Sequence, residues 1–385
     1  MTPAAEAASR LPASRVVGGV RHLYVHLPFC AHRCGYCDFV TAVGRREEHR
    51  GYVDALLAEL DSERRVLAGP LETVFVGGGT PTFTEPEALT RTLDAVPPAA
   101  EITVEANPET VTPALALLLR DHRVSRVSLG AQSFRPHLLG VLERVAGPDD
   151  VRRSVHTLRD AGFDNISLDL IYGVPGQSAA DLEADLADAL ALEPEHLSCY
   201  ELEAKPGTRF THAHGEELAR QAEAMEGYAE RVVETLTGAG YRWYETANFC
   251  RSDGGRDLRA QHNLAIWRGA DYLGIGVGAV STLGGERRRN RPSVARYVAA
   301  LADGDAPPRE VEHLDAATRA VERLMLGLRL DEPFTVGAAG VEDVVDADAL
   351  ERLTLAGLVD RVGDGVRLTP RGRMLGGAVT AELLA

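Results

Sequence analysis

Six short apolar runs, each followed by a longer amphipathic stretch, limit what this 385-residue chain can fold into more than any other feature. The runs fall at residues 22–26, 73–76, 101–105, 126–129, 166–171 and 196–200, and the amphipathic stretches at 52–67, 85–95, 112–121, 149–161, 179–190 and 218–239. Strand and helix alternating at this spacing predict an α/β fold, a parallel sheet covered by helices. The polar motifs stand where the strands end, and that carboxyl edge is where such folds bind ligands.

The rhythm fades after about residue 302, and residues 303–312, with Pro307-Pro308, read as a linker. Beyond it, residues 314–328 and 347–358 predict helices. Residues 359–362 and 366–369 predict a hairpin around Gly363-Asp364-Gly365. The expected organisation is a tail over 1–19, a main domain over 20–302 and a small α+β, winged-helix-like domain over 303–385. DNA binding does not follow from that module, because residues 310–385 hold 14 acidic residues against 8 arginines. The whole chain carries a formal charge of −16, which also disfavours nucleic acid and anionic membrane surfaces. No run of about 18 apolar residues suggests a membrane span, and residues 1–13 lack the pattern of a secretory signal. A cytoplasmic location is expected.

Of five cysteines, three crowd into eight residues, Cys30, Cys34 and Cys37, directly after the first predicted strand. This is a metal-ligand arrangement of a reducing compartment rather than a disulfide framework. Three nearby thiolates can ligate three irons of a cubane cluster, leaving the fourth iron open. A zinc site completed by His26 or His32 is the competing reading, as are three buried cysteines. Cys199 reads as a core residue, and Cys250, close to a Gly-rich loop, as an exposed one.

The spacing C-x3-C-x2-C, with Tyr36 before the last cysteine, resembles the signature of the radical S-adenosylmethionine (SAM) superfamily. That resemblance implies a partial (β/α) barrel with a [4Fe–4S] cluster at its mouth. SAM would chelate the open iron, and one electron would cleave its sulfonium bond. Gly78-Gly79-Thr80, after the second strand, resembles the superfamily's loop that contacts the SAM ammonium group. Tyr24, Tyr36, Glu105, Gln132, Arg144 and Asp169 also match SAM-surrounding positions in one branch, the oxygen-independent coproporphyrinogen oxidases and their heme-chaperone relatives. Asp169, in an otherwise apolar strand, demands a partner or a ligand on its own account.

Phe39 stands where the true oxidases usually carry a further cysteine, and their longer N-terminal extension is missing. Residues 261–267 resemble the chaperones' HNxxYW motif, which implies heme contacts for His262, Asn263 and Trp267, although Ile266 replaces the usual tyrosine. Ala146 and Val280 stand where many relatives have histidine. The resemblance implies heme as cargo, heme-accepting proteins, an electron donor such as a flavodoxin or ferredoxin, and a homodimer as one possible assembly. A coproporphyrinogen III dehydrogenase and a radical SAM methyltransferase or cyclopropanase are the alternatives.

Overall fold

The computed structural model describes residues 19–203, 209–252, 254–337 and 340–384, so the expected tail lies outside the described residues except for Gly19. In chain order the first half reads β1 His22–Leu27, α1 His49–Glu63, β2 Leu71–Gly78, α2 Pro86–Ala95, β3 Ala99–Ala106 and α3 Pro113–Asp121. It continues with β4 Arg126–Gln132, α4 Pro148–Asp160, β5 Ile166–Tyr172, α5 Ala179–Ala191 and β6 His196–Glu201. Helix starts are chemically marked. Pro86, Pro113 and Pro148 stand in the first turns, the Thr112 hydroxyl accepts from Leu115 N–H, and Ser178 with Asp181 forms a capping box.

The stretch expected as one helix over 218–239 is two, α6 Arg209–Gln221 and α7 Met225–Gly238, joined by a tighter turn at Ala222–Ala224. Tertiary contacts seat both sides of that turn on one loop. The Gln221 amide donates to the Val174 carbonyl at 2.9 Å, and the Tyr228 hydroxyl donates to the Gln177 carbonyl at 2.8 Å.

β7 Tyr241–Glu245, β8 Asn248–Arg251, α8 Gln261–Trp267 and β9 Leu273–Ile275 complete the main sheet. Its strand order is β9-β1-β2-β3-β4-β5-β6-β8-β7, parallel from β9 to β6, with β8 and β7 antiparallel at the far edge. Along the parallel strands side chains alternate. Leu23, Val25, Val74, Val104 and Leu168 pack into the main hydrophobic core with the helices. The other face carries polar groups such as Thr73, Glu105, Arg126 and Asp169. The α/β reading of the sequence therefore holds strand by strand.

β10 Val280–Leu283, β11 Glu286–Asn290 and β12 Arg309–His313 form a second sheet, with α9 Val294–Ala302 between the last two strands. The residues read as a linker thus include β12, paired along β11. Paired prolines end a helix but do not prevent a strand from starting just after them. The anchor for this sheet is Glu59 on α1, 1% exposed. It accepts from Tyr297 Oη at 2.6 Å, Gly276 N at 2.8 Å, Asn290 Nδ2 at 2.8 Å and Arg309 Nη2 at 3.1 Å.

The remainder comprises α10 Ala316–Gly327, β13 Phe334–Thr335, α11 Ala347–Leu355, β14 Val359–Val362 and β15 Gly365–Leu368, followed by two short helices. Its three strands are ordered β13-β15-β14 around a small core of its own that includes Leu324, Leu353 and Val366, the helix-and-wing arrangement expected. The hairpin turn is Gly363-Asp364 rather than Asp364-Gly365. Gly365 already belongs to β15, where a Cβ would lie 2.8 Å from the Phe334 carbonyl oxygen. Among the described residues no helix is long and apolar enough to cross a membrane.

Replacing Glu59 by Ala takes the acceptor from four donors in a buried site. It should cost about 3 kcal/mol of folding free energy, read by urea denaturation, because buried donors such as Tyr297 Oη and Gly276 N–H lose their acceptor, while Arg309 keeps Glu63. A loss under about 0.5 kcal/mol, the range of an ordinary surface change, would contradict that role.

Candidate functional site

A cavity of about 720 Å³ opens at the carboxyl ends of the parallel strands. Cys30, Cys34 and Cys37 line one side of it, and Gly78, Gly79, Thr80, Glu105, Gln132, Arg144 and Asp169 also border it. The cysteine loop is fastened to the sheet by backbone. Phe29–Cys30 pairs in parallel with Ala42–Val43, and Gly44 N–H donates to the Cys30 carbonyl at 2.8 Å. Cys37 N–H closes a turn on the Cys34 carbonyl at 3.2 Å. The Thr80 hydroxyl donates to Cys30 Sγ at 3.4 Å, and Arg144 Nη1 approaches Cys34 Sγ at 3.7 Å. Arg144 is itself held by Asn107 Oδ1 at 3.0 Å and the Gly130 carbonyl at 2.8 Å.

The glycines of the second strand's end are steric necessities. A Cβ on Gly79 would lie 2.5 Å from the Pro28 carbonyl oxygen and 2.9 Å from Cys30 Sγ, and one on Gly77 would lie 2.8 Å from Glu105 Oε2. Burial pushes the Cys30 thiol up to about 11 and also raises Cys37. Both are therefore protonated at neutral pH until a metal displaces the proton. Three soft sulfur donors on one wall of one cavity suit an iron–sulfur cluster, which takes each thiolate at a different iron. A tetrahedral zinc ion needs a fourth donor converging with the three sulfurs. The histidines offered for zinc are engaged. His26 Nδ1 bonds Tyr24 Oη at 3.0 Å and its Nε2 the Val40 carbonyl at 2.9 Å, whereas His32 lies 3.8 Å from Glu143.

The floor is acidic. Glu105 accepts from Gly78 N–H at 3.1 Å, and Asp169 accepts from the Ser128 hydroxyl at 3.3 Å. Burial, then repulsion from Asp169, raises Glu105 to about 7; burial raises Asp169 too. Arg126, 2% exposed, pulls both back down from within the barrel, and its Nε has no partner among the described residues. Gln132 follows an irregular register between β4 and β5 and adopts a left-handed φ of +66°, a strained backbone typical of functional strand ends.

Not every sequence-stated position reaches the cavity. Tyr24 lies on the polar face among Phe75 and His262, with its hydroxyl on His26, and does not line the opening. His262 is 2% exposed, bonded through Nδ1 to Thr73 Oγ1 at 2.8 Å, and burial lowers its pKa to about 3. It is a neutral interior histidine, buried because α8 closes against the strands at the end away from the cysteines. Asn263 is half-buried on the same helix. Trp267 alone approaches the cavity, indirectly, beneath the guanidinium of Arg329 at 4.4 Å from ring centroid to Cζ. Cys199 is buried as expected. Cys250, expected at the surface, is 4% exposed, because β8 runs between β6 and β7. Sequence reading missed Arg126, Asn107 and Arg329. Arg126 had the same signal as Asp169, a charge opening an apolar strand. Arg329, some 290 residues from the cysteines, had none.

Two outcomes follow. Because Glu105 has a folded pKa above its ordinary carboxylate value of 4.5, ionising it opposes folding as pH rises from about 4.5 to 7. Glu105→Gln should therefore stabilise the ligand-free protein by on the order of 1–3 kcal/mol at pH 8 and by little at pH 4.5, read by denaturation at both pH values. His262→Ala, which empties an interior site and leaves Thr73 with His22 as its remaining histidine partner, should lower stability by about 2 kcal/mol in the same assay.

The chain matches the Radical SAM superfamily model over residues 24–189 and the HemN C-terminal domain model over residues 314–375. It is 36% identical over 375 residues to the heme chaperone HemW of Mycobacterium tuberculosis, covering 94% of each chain. It is 32% identical over 381 residues to that of Bacillus subtilis, covering 95% of this chain and 99% of the relative. Coproporphyrinogen III oxidase (HemN) from Escherichia coli has a similar fold, with a TM-score of 0.80 at 23% identity over 95% of this chain and 90% of that one. Radical SAM membership implies a [4Fe–4S] cluster and SAM as cofactors. With full-length identity above 30% and the signature cysteines at the barrel mouth, the chain belongs to the HemW heme-chaperone family of radical SAM proteins.

Proposed function

We propose that this chain is a cytoplasmic heme chaperone. It would hold a [4Fe–4S] cluster on Cys30, Cys34 and Cys37, bind SAM over the strand ends, and pass heme to acceptor proteins. The observation that carries the reading is that one cavity is bordered by the three thiols together with Glu105, Gln132, Arg144 and Asp169. When bound, the cluster supplies an electron, drawn from a flavodoxin or ferredoxin, to cleave the SAM sulfonium bond.

The chain's own residues bind and orient. The backbone at Gly78 and Gly79 lets a ligand lie against the strand with no Cβ intervening. Glu105 and Asp169, once ionised, accept from ribose hydroxyls. Arg144 places positive charge beside Cys34, 3.7 Å from its sulfur. Gln132, Asn107 and Thr80 supply neutral hydrogen bonds around them.

Heme needs an apolar wall, and the cavity has one. Phe39 and Tyr200, 62% and 42% exposed, stand at its edge with Ile171 and Leu202. Large apolar side chains left this open beside a pocket mark a binding surface. Heme contact through His262, 2% exposed, would require α8 to move from the strands, so the heme is better assigned to this rim.

Anaerobic reconstitution with iron and sulfide should yield a brown protein that cleaves SAM under reduction and takes up heme in an equimolar complex. Cys30→Ala should lose the cluster absorbance and the cleavage together; cleavage that survives would mean the ligands are misassigned. Consumption of coproporphyrinogen without heme uptake would replace the chaperone reading with the dehydrogenase one.

A further inference from the structure

Arg329 follows α10, in the part of the chain matched by the HemN C-terminal domain, yet it lines the cavity that holds the cysteines. It arrives on the wall formed by Thr246 and Ala247, between the antiparallel strands β7 and β8, which stand at the opposite end of the sheet order from β1. Two contacts hold it. Nε and Nη2 lie 2.7 and 2.6 Å from Glu245 Oε1, a carboxylate that is itself fully buried and also accepts from Ala247 N–H at 3.1 Å and the Asn248 amide at 2.5 Å. The Trp267 ring lies 4.4 Å from its Cζ. With Nε and Nη2 spent on Glu245, Nη1 has no partner among the described residues.

The other two cations of the cavity are differently committed. Arg144 is engaged with Cys34, Asn107 and Gly130, and Arg33 reaches the Cys37 carbonyl at 3.3 Å. Both belong to the cysteine side. Arg329 is therefore the cation across the cavity from the cluster loop, oriented in advance by a buried carboxylate and an indole face. A guanidinium so fixed pays little entropy on binding an anion and suits a carboxylate. The wall it shares offers the apolar surface of Tyr200 and Leu202, alternating with the carboxylates of Glu201 and Glu203, and among these residues Arg329 is the cation that can receive an anionic edge. A ligand that fits is flat and apolar with a carboxylate at its edge.

Resting on the heme-chaperone reading, we propose that Arg329 is the docking point for a propionate carboxylate of the bound tetrapyrrole, with Trp267 and Glu245 as its positioning residues. The motif over 261–267 then serves heme through the indole that supports Arg329 rather than through His262.

The test compares heme with heme dimethyl ester, whose propionates carry no charge, on reconstituted full-length protein and on Arg329→Gln and Arg329→Lys. Wild type should bind heme about tenfold more tightly than the ester, the worth of one charge-assisted hydrogen bond. Arg329→Gln should bind the two equally, at the ester's affinity, and Arg329→Lys should recover part of the preference. Trp267→Leu should reduce the preference while leaving Arg329 in place, which serves if the Gln variant fails to fold. A preference that persists in a folded Arg329→Gln protein overturns the assignment. So does a variant that loses SAM affinity without heme present while keeping the preference for free acid over ester, since the carboxylate received would then be that of the nucleotide. If wild type takes up neither heme nor ester, it is the chaperone reading that fails.

Discussion

The closeness of the β2 end to its neighbours is the constraint on which the rest of the site depends. Gly77 has no room for a Cβ beside the Glu105 carboxylate, and Gly79 none beside the Pro28 carbonyl and Cys30 sulfur. Backbone packed this tightly turns a flexible cysteine loop into a fixed wall. It also brings Gly78 N–H onto Glu105, so the same few atoms place both the sulfur donors and the acidic floor. A side chain at either glycine would push the loop and the floor apart.

The second constraint is electrostatic. The barrel's inner face is polar, and two carboxylates stand near each other on it in low-dielectric surroundings. Burial raises both, and repulsion from Asp169 raises Glu105 further, to about 7. The Gly78 N–H on Glu105 and the Ser198 hydroxyl on Asp169 oppose that rise, and Arg126 adds to both from inside the barrel, its own burial tolerable because acidic groups surround it. Glu105 is thereby poised near neutrality, where a hydroxyl-rich ligand can complete the balance.

The C-terminal half is tied to the barrel by several ion pairs, among them Arg242 with Asp331 and Arg259 with Glu332, and two charged points matter most for the site. Glu59 gathers donors from the loop after β9 and from β11, α9 and β12, so the second sheet is part of the barrel's closure. Arg329 reaches Glu245 in the edge strand β7 and enters the cavity from the module that follows. The small helix-and-wing module is acidic on balance and contributes Arg329 to the cavity.

Local chemistry determined the strands, the helix starts and the cysteine wall, because each rests on neighbours close in sequence. Period-two alternation marks β1 to β6, first-turn prolines and Ser or Thr caps mark the helices, and C-x3-C-x2-C carries its spacing with it. The polar residue in an apolar strand, Asp169, was legible for the same reason. What only the tertiary structure decided involves partners distant along the chain. A histidine and a tryptophan five residues apart in one short helix point to different fates, His262 into the barrel and Trp267 toward Arg329. Residues 309–313 became a strand because β11 was there to pair with, and Cys250 was buried by strands on both sides. Packing assigns such positions after the chain has closed on itself, and no periodicity or motif around them records which neighbour will arrive.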